Sequence, residues 1–141
     1  MTLSGGVLCW GSNIDGAVGR GAVELCGDVF PVRCATRPVT VEVREQVRQV
    51  SSGTGHACVV ALSGQVYCWG DNGAGQGGAF DSGVPMLPVP TRVRLPRNEA
   101  VRSVGSGGVL SCAITVNRFV YCWGSDMIEV WDHEHLAPRI A

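Results

Sequence analysis

Val66-Tyr67-Cys68-Trp69-Gly70 returns unchanged as Val120-Tyr121-Cys122-Trp123-Gly124, 54 residues further on. Its central tripeptide also stands near the start, as Cys9-Trp10-Gly11. Cysteine and tryptophan are rare residues, so three copies of this string mark one structural unit repeated along the chain. Working outward from the second copy, Val47-Arg48 returns as Val101-Arg102, Val50 as Val104, Ser52-Gly53 as Ser106-Gly107 and Cys58 as Cys112, with no gap. The first copy lies 59 residues before the second. It aligns Leu3-Ser4-Gly5 with Leu62-Ser63-Gly64, Val7 with Val66, and Asn13, Gly16 and Gly19 with Asn72, Gly75 and Gly78. The five extra residues fall between Gly21 and Pro38, around Cys26 and Cys34.

This frame divides one repeat domain, 1–141, into a half unit 1–21, a connection with an insertion 22–38, a unit 39–78, a connection 79–89, a unit 90–124 and a divergent tail 125–141. The first-copy equivalent of Cys58 and Cys112 falls before Met1, so the sequence is expected to open inside a hairpin. Pro138-Arg139-Ile140 looks like the lead-in to a further unit, as at Pro90-Thr91-Arg92-Val93. The chain is therefore expected to be a fragment of a longer array, or to associate with copies of itself through open flanks.

The 141 residues suit one compact domain, and 45% hydrophobic content suffices for a core. The net charge of −1 gives no basic field for nucleic acid or an anionic membrane. No apolar run approaches the ~20 residues of a membrane span, and Met1 to Gly11 carries no secretory pattern. All 11 basic residues are Arg. Together with abundant Ala, Gly and Val, that reads as a GC-rich bacterial gene.

Within one unit, Val47 to Val50 is a short β-branched stretch ended by Ser51-Ser52-Gly53. His56 to Leu62 is an apolar run, Ser63-Gly64 a turn, and Gln65 to Trp69 a second strand. With Cys58 facing Cys68, the hairpin loop has three residues and ends on Gly64, which takes the left-handed conformation without steric cost. Asn117-Arg118 stands there in the third unit, so a different loop is expected. A Gly-rich loop follows each of the first two Cys-Trp-Gly copies, and the alternating Val39, Val41 and Val43 suggest a further strand. Short strands with a turn at every step predict an all-β repeat, most simply propeller blades.

The pattern Val-x-x-Val-Ser-x-Gly-x-x-His-x-Cys, then Val-Tyr-Cys-Trp-Gly-x-Asn-x-x-Gly-Gln-x-Gly, resembles the RCC1 (regulator of chromosome condensation) repeat. The likeness covers Met1 to about Gly78 and Pro90 to Gly124. It implies a seven-bladed β-propeller, of which this chain holds about two blades and a half. Three features depart from the family pattern. Leu110 replaces His56, Gly77 stands where the family usually has Leu, and Ser125 to Val130 has lost its glycines.

Seven cysteines are an odd number. Cys58 with Cys68 and Cys112 with Cys122 would face each other across a hairpin, close enough for disulfides. Cys26 and Cys34 could close the insertion, and Cys9 is left unpaired. Reduced, buried thiols and zinc ligation are the alternatives. Disulfides would place the protein outside the cell or in a periplasm, whereas free thiols and an authentic Met1 would place it in the cytoplasm.

The other candidate sites have simpler structural readings. Gly73 to Gly78 superficially resembles a nucleotide loop, but no helix start follows it. It is read as a blade connection, with Asn13 and Asn72 and the glycines Gly11, Gly70 and Gly124 as parts of the repeat. His56 beside Cys58 suggests a nucleophile pair, yet a structural His bonded to loop backbone fits better. His133 and His135, near Asp126, Glu129 and Asp132, are weak metal candidates. Trp10, Trp69 and Trp123 share one place in the repeat and are expected to pack in the core or between blades. Trp131 lies outside it and is freer for contact.

No nucleophile, acid–base pair, cofactor or firm metal site emerges. The expectation is a non-enzymatic module that binds a protein through variable loops, Arg20 to Pro38 and Asp71 to Pro96. The resemblance supplies a rival, guanine-nucleotide exchange on a small GTPase. A secreted propeller that inhibits an enzyme or binds cell wall is the third reading.

Overall fold

The computed structural model describes residues 1–19, 24–79, 83–124, 127–131 and 139–140, the last two stretches through their backbone. Every regular element among them is a strand, and the strands form three antiparallel sheets. The first contains β1 (Val7–Ser12), β2 (Glu24–Cys26) and β3 (Val32–Val41), in the order β1-β3-β2. The second is a meander of β4 (Val47–Ser52), β5 (His56–Ala61), β6 (Val66–Asp71) and β7 (Met86–Arg92). The third runs β8 (Val101–Gly107), β9 (Leu110–Thr115), β10 (Val120–Gly124), β11 (Met127–Trp131) and β12 (Arg139–Ile140).

The copied hairpins are β5–β6 and β9–β10. Cys58 lies opposite Cys68, and Cys112 opposite Cys122. In the first turn Gly64, at φ +84°, donates its N–H to Ala61 O at 2.9 Å. The third unit makes the same turn, contrary to expectation. Arg118 itself takes φ 68° and donates to Thr115 O at 3.1 Å. Pairing on both sides fixes the loop length. The Phe119 N–H bond to Thr115 Oγ1, 3.1 Å, offsets part of the left-handed cost.

The outer strands were hidden by proline. Along β3 and β7 the register slips opposite Trp10 and Trp69, where Cys9↔Val39 gives way to Gly11↔Ala35 and Cys68↔Thr91 to Gly70↔Leu87. The looped-out residues include Pro38, Pro88 and Pro90. Proline has no N–H for the ladder, so bulges on outer strands accommodate it. The stretches 22–38 and 79–89 thus contribute strand as well as connection. Val39 and Val41 pair back onto β1, so each sequence unit contributes to two sheets. The tail likewise holds a strand, β11, paired along β10 from Val120↔Trp131 to Gly124↔Met127.

The core lies between sheets. Val7, Val41, Val47, Val59, Tyr67 and Trp69 cluster between the first and second. Val60, Val66, Leu95, Val104, Tyr121 and Trp123 do so between the second and third. The second sheet is covered on both faces, and β5 is accordingly buried at every residue. Trp69 and Trp123 are fully buried. Trp10 is 64% exposed, which corrects the expectation of core packing there. Its face of β1 is the one that in β6 and β10 meets the preceding sheet, and no described residue covers it.

Candidate interaction surface

Each Gly-rich loop is tied to its blade by one asparagine. Asn13 Oδ1 accepts from Val18 N–H at 2.9 Å, and its Nδ2 donates to Gly19 O at 3.1 Å. Asn72 Oδ1 accepts from Gly77 N–H at 3.1 Å, and its Nδ2 donates to Val84 O at 2.8 Å. The side-chain amide offers both a donor and an acceptor and so closes the loop from within. At the strand ends, Gly70 and Gly124 have φ of +96° and +123°. A Cβ on either would strike a backbone carbonyl, Gly55 O or Val109 O, at under 3 Å.

These loops also join neighbouring blades. Trp69 Nε1 donates to Ala17 O at 2.8 Å, and Trp123 Nε1 to Gln76 O at 2.9 Å. Ala17 and Gln76 are repeat equivalents, so the indoles of the second and third blades each cap the loop of the blade before. The inner strands β4 and β8 are stitched as well. Gln49 Nε2 donates to Val104 O, and Val104 N–H donates back to Gln49 Oε1, both at 2.9 Å.

His56 sits in this joint, fully buried. Its partner is Ser111 Oγ of the next blade, at 2.8 Å, and not loop backbone as expected. Ser111 Oγ donates onward to Gln76 O at 3.1 Å. The serine proton is thus committed, and His56 must donate through Nε2–H. Its Nδ1 is then a bare acceptor, and it has no partner. Burial pushes the His56 pKa below the usual imidazole value, and the Asp71 charge opposes that in part. Cys58 Sγ also lies 3.6 Å from Ser111 Oγ. The arrangement is a neutral structural bridge.

The insertion of the first unit becomes the β2–β3 hairpin. Cys26 and Cys34 approach with Cα atoms 5.9 Å apart and sulfurs at disulfide distance. The same holds for Cys58 with Cys68, 4.1 Å, and for Cys112 with Cys122, 4.0 Å. Thr36 Oγ1 donates to Glu24 Oε2 at 2.5 Å across the hairpin, and this bond lowers the Glu24 pKa. At the tip Val29 and Phe30 are 79% and 84% exposed. The variable loop Arg20 to Pro38 thus carries these two residues, and an apolar pair inside a cysteine-bounded insertion is the signal for them in the sequence. Cys9 is unpaired and half-buried.

His133 and His135 lie outside the described residues, as do Asp126 and Asp132. Trp131 is described through its backbone in β11. Among the described residues no group of three or more His, Cys, Asp or Glu side chains is placed to hold a metal ion.

Two models of the regulator of chromosome condensation (RCC1) repeat match the chain, at residues 4–60 and 47–76, which together span more than half of it. The chain is 33% identical over 127 residues to the secretion-regulating guanine nucleotide exchange factor of Bos taurus, covering 87% of this chain and 26% of that protein. It is 31% identical over 140 residues to the probable E3 ubiquitin-protein ligase HERC3 of Homo sapiens, covering 99% of this chain and 13% of that one. It thus spans about a quarter or less of the curated relatives it matches. Among solved structures, yeast RCC1 (Prp20) bound to Kap60 superposes with a TM-score of 0.69 at 23% identity, covering 87% of this chain and 29% of that one. Repeat, sheet order and likeness agree: the chain belongs to the RCC1 repeat family, and its sheets are blades of an RCC1-like β-propeller.

Proposed function

We propose that the chain is a non-enzymatic propeller module, part of a larger ring, that binds a protein partner through its loops. The observation that carries this reading is the β2–β3 hairpin. Leu25, Val29 and Phe30 stand out in solvent on a short hairpin braced by Cys26 and Cys34, and among the described residues no strand lies between β6 and β7 or between β10 and β11 as β2 lies between β1 and β3. Exposed aromatic and aliphatic side chains on a rigid element are the usual anchors of an interface. The yeast RCC1 neighbour is itself seen bound to a protein, Kap60. We also infer that the three cysteine pairs are oxidised, which places the module in an oxidising compartment. The test is capture of partners by the wild-type chain and by a Val29→Ser, Phe30→Ser double variant of equal stability. Loss of a specific partner in the variant supports the reading, and an unchanged set counts against it.

A second reading, guanine-nucleotide exchange, is favoured by the 33% identity with the bovine exchange factor. A nucleotide-release assay on small GTPases separates the two. Accelerated release would replace the binding-module reading with an exchange factor.

A further inference from the structure

From the end of β7 toward β8 the chain reads Arg92-Val93-Arg94-Leu95-Pro96-Arg97. Burial alternates along this stretch as along a strand. Val93 and Leu95 pack into the core between the second and third sheets, whereas Arg92, Arg94 and Arg97 are exposed. Val93 N–H donates to Val66 O at 2.9 Å and carries the ladder one residue past β7. Alternate residues of an extended segment share a side. Burying Val93 and Leu95 therefore turns Arg92 and Arg94 outward together, about 7 Å apart.

Two of the three guanidinium groups are held in place. Arg92 Nη2 donates to Asn98 Oδ1 at 2.7 Å. The Arg97 guanidinium carbon lies 4.4 Å from the centroid of the Phe119 ring, which packs against the same core. A guanidinium fixed in this way loses less freedom on meeting a carboxylate. The neighbouring carboxylates are engaged elsewhere. Glu45 Oε1 accepts from the Tyr67 hydroxyl at 2.6 Å, and Glu99 Oε1 from Asn117 Nδ2 at 3.4 Å, with Glu99 Oε2 buried. Among the described residues no carboxylate forms an ion pair with Arg92, Arg94 or Arg97. Arg44 adds a further positive charge close by. The Glu45 bond raises the Tyr67 pKa, and Arg92 and Arg44 oppose that rise.

We propose that Arg92, Arg94 and Arg97 form a docking surface for an extended acidic segment of a protein partner. Carboxylates at alternate positions of that segment share a side and match the spacing of Arg92 and Arg94. Each guanidinium then gains the charge-assisted hydrogen bonds that no described carboxylate of this chain supplies. A nucleic acid fits less well. Its binding draws on about 6–10 phosphate contacts, more than three arginines provide, and the chain has a net charge of −1. The surface lies at the opposite end of the sheets from the β2–β3 tip. Arg92 pairs with Tyr67 near the β5–β6 turn, whereas the tip extends beyond Ser12↔Cys34, at the end marked in the second sheet by Asp71↔Met86. The two surfaces therefore stand or fall separately.

The experiment follows the fluorescence anisotropy of a labelled synthetic peptide of alternating Glu and Thr, titrated with the full chain. A peptide with Gln for every Glu is the comparison. An Arg92→Gln, Arg94→Gln double variant removes the matched pair and leaves Arg97 on Phe119. An Arg33→Gln, Arg37→Gln double variant removes two charges elsewhere, and urea midpoints show that both variants fold. The Glu peptide should bind the wild type about tenfold or more tightly than the Gln peptide does, and added salt should weaken it. The Arg92→Gln, Arg94→Gln variant should lose that advantage, while the Arg33→Gln, Arg37→Gln and Val29→Ser, Phe30→Ser variants should keep it. Equal affinity for the two peptides, or an advantage that survives loss of Arg92 and Arg94, overturns the proposal. So does a single-stranded oligonucleotide of the same charge that binds these arginines more tightly than the peptide, which would make the surface a nucleic-acid site.

Discussion

Acidification should loosen the joint between the second and third blades through His56. The ring is fully buried, donates through Nε2 to Ser111 Oγ and leaves Nδ1 without a partner. Protonation would place a charge in that joint and create a second N–H, on the Nδ1 that has no hydrogen-bond partner. The folded-state pKa is accordingly lowered, with burial as the main cause. A lowered histidine pKa means that the unfolded chain binds more protons than the folded one over the window between the two values. Stability is therefore complete above the unfolded value of about 6.5 and falls as pH drops below it, by at most about 1.4 kcal/mol per pH unit. The substitution His56→Leu installs the residue that the third unit carries at Leu110 and removes the titration. Urea midpoints for both proteins from pH 8 to pH 5 provide the assay. The wild type should lose stability below about pH 6.5 more steeply than the variant, and all other titrating groups cancel in the difference. Parallel curves would refute the claim that the buried bridge is neutral.

Four other outcomes follow from the same geometry. Gly70→Ala should destabilise by about 2–4 kcal/mol, from a strained φ and a carbonyl clash that Gly11→Ala escapes; chemical denaturation compares them. Tyr67→Phe should cost about 1 kcal/mol, because its hydroxyl donates to Glu45 Oε1 at 2.6 Å, while Tyr121→Phe should be close to neutral, its hydroxyl having no partner. Trp123→Ala should cost about 3–5 kcal/mol and Trp10→Ala far less, in keeping with their burial, as thermal unfolding would show. Non-reducing peptide mapping should link Cys26 to Cys34, Cys58 to Cys68 and Cys112 to Cys122, and reduction should remove about 2–3 kcal/mol per link.

Much of the blade could be read from the chain because its residues are copied. Identical spacing of Cys58–Cys68 and Cys112–Cys122 predicted the hairpin register, and the Asn-x-x-Gly-x-x-Gly string predicted the loops. The outer strands β3 and β7 were harder to see. Their bulges accommodate proline, and proline in a sequence signals a break. Arg118 shows the opposite case, in which pairing on either side imposes a backbone that the side chain disfavours. Ser111 was missed as the partner of His56 because its equivalent, Ala57, has no polar atom to suggest the role. The Gln76 carbonyl could not have been found from residue type at all; only its repeat relation to Ala17 links it to the indole. Trp10 stands exposed while its repeat equivalents are buried, because a repeat position predicts a packing partner only where a described sheet lies against that face.

The central claim is that copied hairpins stack side by side, each buried indole capping the loop of the blade before it. Hydrogen exchange of the indole Nε1–H protons, resolved by ¹⁵N NMR, tests it most directly. Trp69 and Trp123, bonded to Ala17 O and Gln76 O, should exchange slowly, and exposed Trp10 should exchange quickly. Exchange at Trp69 and Trp123 as fast as at Trp10 would contradict the stacking.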